Sequence, residues 1–124
     1  MHLIEINKAT FGSEIMGSEK PALVVFCCEE CARCKALVPI IDEFAGEHAD
    51  EFKMGKINIE REFDLTRRFQ VRTTPTLMYV KEGTVRGLIT DFVSKKSLLH
   101  QLSAFGHQPV PLSKAEVGIK AQHN

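Results

Sequence analysis

The chain predicts an α/β fold, a mixed central sheet with helices on both faces. Three observations carry this. The run "ALVVFC" at 22–27 is β-branched and apolar at every position, as expected of a strand covered on both faces. After Cys31 the period becomes helical, and a second strand pattern, "EFKMGKINI", follows. A strand–helix–strand unit from Ala22 to Ile59 implies a parallel pair joined by a right-handed crossover. Further on, the tight turn "KEGT" between two strand-like runs adds an antiparallel edge.

Each element has a local reason. "HLIEI" reads as a short strand and "KATFGSEIMGSEK" as a short helix closed by Gly and Ser. In the helix after Cys31, Leu37, Ile40, Ile41 and Phe44 make an apolar stripe opposite Asp42, Glu43 and Glu47. Pro39 lies inside it and removes one backbone donor, which predicts a kink. The alternation of "EFKMGKINI" breaks at Gly55. "REFDLTRRF" predicts a helix with Leu65, Arg68 and Phe69 along one side. "VRTTPTLMYV" is a proline-bearing loop leading into a strand, and "VRGLITDFV" is its hairpin partner. Ser94 can N-cap a last helix that turns Leu98, Leu102 and Phe105 inward, and Gly106 can end it. This organises residues 1–106 as one domain and leaves 107–124 as a polar, loosely ordered tail.

With 124 residues and 44% hydrophobic content, the chain can bury one core without staples. Sixteen basic residues balance sixteen acidic ones, so bulk charge offers no attraction to nucleic acid or anionic lipid. The N-terminus lacks a positive region followed by an apolar core, and the longest apolar run, "PALVVFCC", is too short to span a bilayer. The expectation is a soluble, cytoplasmic protein. In a reducing compartment, cysteines are catalytic or metal-binding more often than structural.

All four cysteines fall within "FCCEECARC", where two Cys-x-x-Cys pairs overlap at Cys31. An iron–sulfur or zinc site on Cys28, Cys31 and Cys34 lacks its fourth ligand. Val38 stands where the ferredoxin pattern has cysteine, and no histidine sits at ligand spacing nearby. A working dithiol fits better. At a strand-to-helix junction the first thiol meets the free N–H groups and dipole of the helix N-terminus, which favour thiolate. Cys31 and Cys34 have that placement, whereas Cys28 and Cys31 span a loop holding Glu29 and Glu30. Those carboxylates disfavour a thiolate, while Arg33 and Lys35 favour one. Cys27 reads as a buried strand thiol, and Cys28 as a bystander or an auxiliary thiol able to exchange with Cys31.

These residues resemble the thioredoxin family. "VVFCCEECARCKALVPIIDEFA" is similar to its strand, Cys-Gly-Pro-Cys-Lys motif and proline-kinked helix, and "KINIE" to its next strand. "VRTTPTLMYVKEGTV" resembles its cis-proline loop and hairpin, and "SKKSLLHQL" its terminal helix. The resemblance spans roughly residues 3 to 105 and implies a thioredoxin fold. By resemblance, Thr74 and a cis Pro75 receive substrate backbone beside the dithiol, and Asp91 replaces a small glycine by the groove. The family's buried acid corresponds to Val25 and its lysine partner to Lys56. The usual tryptophan and Gly-Pro are absent, replaced by Glu30 and Ala32-Arg33.

The implied function is protein disulfide reduction, with Cys31 attacking and Cys34 resolving through a Cys31–Cys34 disulfide and no other cofactor. Disulfide-containing proteins are the implied substrates of a monomer, and a thioredoxin-reductase-type partner the electron donor. The alternatives are a metal- or cluster-binding module and a thioredoxin-fold adaptor with an idle dithiol.

Overall fold

Ala22–Cys27 forms the central strand, β2, and all six of its residues are buried. Its alternation explains why. Leu23, Val25 and Cys27 enter one core, while Ala22, Val24 and Phe26 enter another on the opposite face. A strand apolar on both sides is stable only with cover on both sides. That cover is the architecture of this chain, a computed structural model in which residues 1–90, 92 and 94–106 are described. The expected tail at 107–124 and the groove residue Asp91 lie outside the described residues.

In chain order the elements are β1 (Ile4–Glu5), α1 (Lys8–Phe11, running on as a π-helical turn Gly12–Met16), β2, α2 (Ala32–Glu47), β3 (Lys53–Asn58), α3 (Phe63–Arg68), β4 (Thr76–Lys81), β5 (Thr84–Ile89) and α4 (Lys95–Ala104). The sheet order is β1-β3-β2-β4-β5. β1 and β2 run parallel to β3, while β4 lies antiparallel to both β2 and β5. This is the thioredoxin fold. Leu37, Ile41 and Phe44 of α2 pack with Leu98 and Leu102 of α4 on one face of the sheet. Phe11, Ile15 and Leu65 cover the other.

Local chemistry sets the boundaries. Asn7 caps α1 and Ser94 caps α4, each in a reciprocal box with the residue three positions on. Glu82 and Gly83, both at positive φ (54° and 72°), close the hairpin between β4 and β5. Gly55 keeps its place in β3 because an added Cβ would lie 2.5 Å from Ile6 Cγ1. Pro39 sits within α2, whose helix continues through it.

Three expectations shift. The first strand shrinks to two residues, although Ile6 N–H still donates to Lys56 O at 2.8 Å. β3 starts later than "EFKMGKINI" suggests, because Glu51 and Phe52 donate their N–H groups to His48 O at the end of α2. Asp42, expected on the solvent face, accepts hydrogen bonds from the backbone N–H groups of His2 (2.7 Å) and Leu3 (3.0 Å). It thereby pins the chain ahead of β1.

Candidate active site at the N-terminus of helix α2

β2 delivers the chain to one end of the sheet, and after four intervening residues α2 begins at Ala32. Cys31 is its N-cap, with extended backbone (φ −77°, ψ 129°). Its carbonyl accepts the first helical hydrogen bond, from Lys35 N–H at 3.0 Å. Between them the turn closes with Cys31 N–H donating to Cys28 O at 3.3 Å. This folds Cys28 back onto Cys31, and the two form a disulfide with Cα atoms 5.3 Å apart. One turn into the helix, Cys34 is a free thiol, 2% exposed, whose Sγ accepts a hydrogen bond from Cys28 N–H at 3.3 Å.

The bond therefore joins Cys31 to Cys28, where the sequence argument expects Cys34. The reason is geometric. Cys28 and Cys34 stand three residues either side of Cys31, so spacing alone treats them alike. The turn brings Cys28 to the half-buried rim beside Cys31, while the helix aims Cys34 inward among Val25, Cys27 and Leu37. Cys27 is free and 5% exposed. Burial, reinforced by the neighbouring Cys34, pushes its thiol up to about 12, against a smaller opposite pull from Lys56.

The charged residues take up separate posts. Lys35 pairs with Glu30 at 3.4 Å on the surface, so the cation expected to favour a thiolate is shared with a carboxylate. Arg33 Nη2 donates to Thr90 O at 3.4 Å, toward the end of β5. Glu29 Oε1 accepts from Asn58 Nδ2 at 3.1 Å. Val25 is fully buried, and its register partner on β3 is Lys56, which in turn pairs with Glu5 on β1. The Thr74-Pro75 peptide is cis. Because Phe26 pairs with Thr76, that peptide lies at the same end of the sheet as Cys27.

Beside the thiols is a cleft of about 270 Å³ whose lining includes Cys27, Cys28, Cys34, Lys56, Asn58 and Glu5. Sequence reasoning misses Glu5 and Asn58. Their only signal is strand register, which places both β1 and the end of β3 next to the sulfurs. Among the described residues, no group of three or more His, Cys, Asp or Glu side chains could hold a metal ion. Nor is any described helix long and apolar enough to cross a membrane.

A disulfide at the N-terminus of the helix that follows the central strand, with a cis-proline loop at the same sheet end, defines a thiol–disulfide oxidoreductase. The family model for thioredoxin matches residues 2–104. Thioredoxin of Pseudomonas aeruginosa is 32% identical over 103 residues, covering 83% of this chain and 95% of that protein. Thioredoxin of Rickettsia typhi is 36% identical over 94 residues, covering 76% and 90%. A bifunctional thioredoxin reductase/thioredoxin of Mycobacterium leprae is 31% identical over 100 residues, covering 81% of this chain and 22% of that protein. The chain belongs to the thioredoxin family.

Proposed function

We propose that this oxidoreductase reduces protein disulfides through Cys31, with Cys34 as its resolving thiol. The observation that carries the reading is the position of Cys31. It caps α2, where unpaired N–H groups and the helix dipole favour a thiolate, and it is less buried than Cys34. In the reduced protein, Cys31 thiolate attacks one sulfur of the substrate disulfide. That bond breaks, its other sulfur leaves as a thiolate and takes up a proton, and a mixed disulfide remains. Cys34 then loses its proton and attacks Cys31 Sγ. The second substrate thiol departs, so the substrate gains two electrons and two protons while Cys31 and Cys34 become joined.

Thr74 and Pro75 are the proposed docking loop for the substrate backbone, and Asp91 is assigned to substrate binding by family resemblance alone. A thioredoxin-reductase-type partner returns the electrons. The fusion named in Mycobacterium leprae, where the two activities share one chain, supports that partner. The reading places the protein in the cytoplasm as a monomer.

Insulin reduction driven by dithiothreitol tests the proposal. Wild type is expected to accelerate insulin precipitation and Cys31→Ser to abolish the acceleration. Wild type no faster than dithiothreitol alone means an adaptor with an idle dithiol.

A further inference from the structure

Cys31 has two cysteine neighbours, and the structure holds both close. Cys28 is bonded to it, and Cys34 Sγ sits 3.3 Å from the backbone nitrogen of that same Cys28. The three sulfurs are thus gathered around one turn, with the disulfide at the half-buried rim and the remaining thiol sealed beneath it at 2% exposure. Sulfurs so placed exchange without a redox partner, since a thiolate attacking a disulfide conserves the number of bonds.

We propose that Cys28 is a second resolving thiol, and that Cys31 passes between Cys28 and Cys34 during turnover. The inference rests on the reading of Cys31 as the attacking sulfur. After Cys34 has resolved the mixed disulfide, Cys28 thiolate attacks Cys31 Sγ. The Cys28–Cys31 bond forms, the Cys31–Cys34 bond breaks, and Cys34 leaves with the electron pair and takes up the proton that Cys28 lost. Nothing is oxidised or reduced overall. Cys28 can also attack the mixed disulfide directly, releasing the substrate thiol in the same way.

Two features favour the Cys28–Cys31 end of this exchange. A released Cys34 returns to an apolar core, where its sulfur keeps the N–H donor of Cys28. The disulfide itself stays at the rim, where an external reductant meets it without opening the helix. Glu29 and Glu30 act the other way, because they make a free Cys28 thiolate scarcer. Cys28 is therefore the slower resolver and Cys28–Cys31 the resting oxidised pair.

The test uses Cys28→Ser, Cys34→Ser and the double variant of the full chain, with insulin as the disulfide probe. Trypsin separates the two pairings, since cleavage after Arg33 leaves Cys27, Cys28 and Cys31 on one peptide and Cys34 with Lys35 on another. Cys34→Ser is expected to lose part of its turnover and to yield a Cys28–Cys31 disulfide. Cys28→Ser is expected to lose a smaller part of its turnover and to yield Cys31–Cys34. Only the double variant should lose turnover altogether and accumulate the mixed disulfide. Should Cys34→Ser alone trap that intermediate as completely as the double variant, Cys28 does not resolve. Retained turnover in Cys31→Ser would instead remove the underlying reading of the attacking sulfur. Circular dichroism of each variant separates these results from loss of fold.

Discussion

Replacing Cys27 by alanine should alter the pH dependence of stability more than stability itself. Burial, with Cys34 beside it, moves the Cys27 thiol from an ordinary 9.0 up to about 12 in the folded chain. Between those values the unfolded chain has released a proton that the folded chain still holds, so stability falls as pH rises. Below 9.0 the contribution is fully present. At 1.36 kcal/mol per pH unit, the wild type loses about 1.4 kcal/mol by about pH 10 and about 4 across the whole window. The alanine variant is expected to be weaker by about 1 kcal/mol at neutral pH, the scale of a small cavity in a packed core. It lacks the alkaline loss, so the two stabilities should meet near pH 10. Urea unfolding at neutral pH and near pH 10, with phosphine reductant to prevent disulfide reshuffling, measures this. A gap that stays constant across that range would refute the reasoning. Alkylation gives a second check, since a shift from 9.0 to about 12 reduces the native thiolate population roughly a thousandfold at pH 8.

Val25 is fully buried and in register with Lys56, and among the described residues no buried carboxylate stands in its place. Val25→Asp should speed decay of the mixed disulfide near neutral pH while lowering stability; single-turnover kinetics with quenched mass spectrometry would show an unchanged decay if another group accepts the proton. Gly55→Ala should cost about 1–3 kcal/mol, the usual range for overpacking, because the new methyl meets buried Ile6 and β1 must shift; thermal unfolding reads the loss. At Asp42, desolvation opposes ionisation, yet the N–H groups of His2 and Leu3 hold the carboxyl below its ordinary 3.8. Its contribution is present above that value and lost as pH falls through the lower folded value, so Asp42→Asn should flatten the acid limb of stability. A wild-type limb unchanged by the substitution would count against this.

The fold was legible because its signals are local. The doubly apolar run of β2, the helical stripe of α2, the positive-φ turn at Glu82 and Gly83, and the Ser94 cap each follow from residues a few positions apart. Sequence also placed Cys31 at the start of α2 and Cys27 inside the core, since strand burial and helix onset are short-range properties. Helix placement and charge in the sequence pointed to Cys34 as the partner of Cys31, and the structure bonds Cys28 instead. Both are three residues away, and only the turn that folds Cys28 outward while α2 points Cys34 inward breaks that symmetry. Charge was misleading for a related reason. Lys35 is expected to favour a thiolate, but on the surface it pairs with Glu30. Glu5 and Asn58 reach the sulfur cleft from distant positions in the chain, through the parallel register of β1 with β3 and of β3 with β2. Register between distant strands is fixed by packing of the whole sheet, so the residues around the sulfurs were decided by tertiary structure.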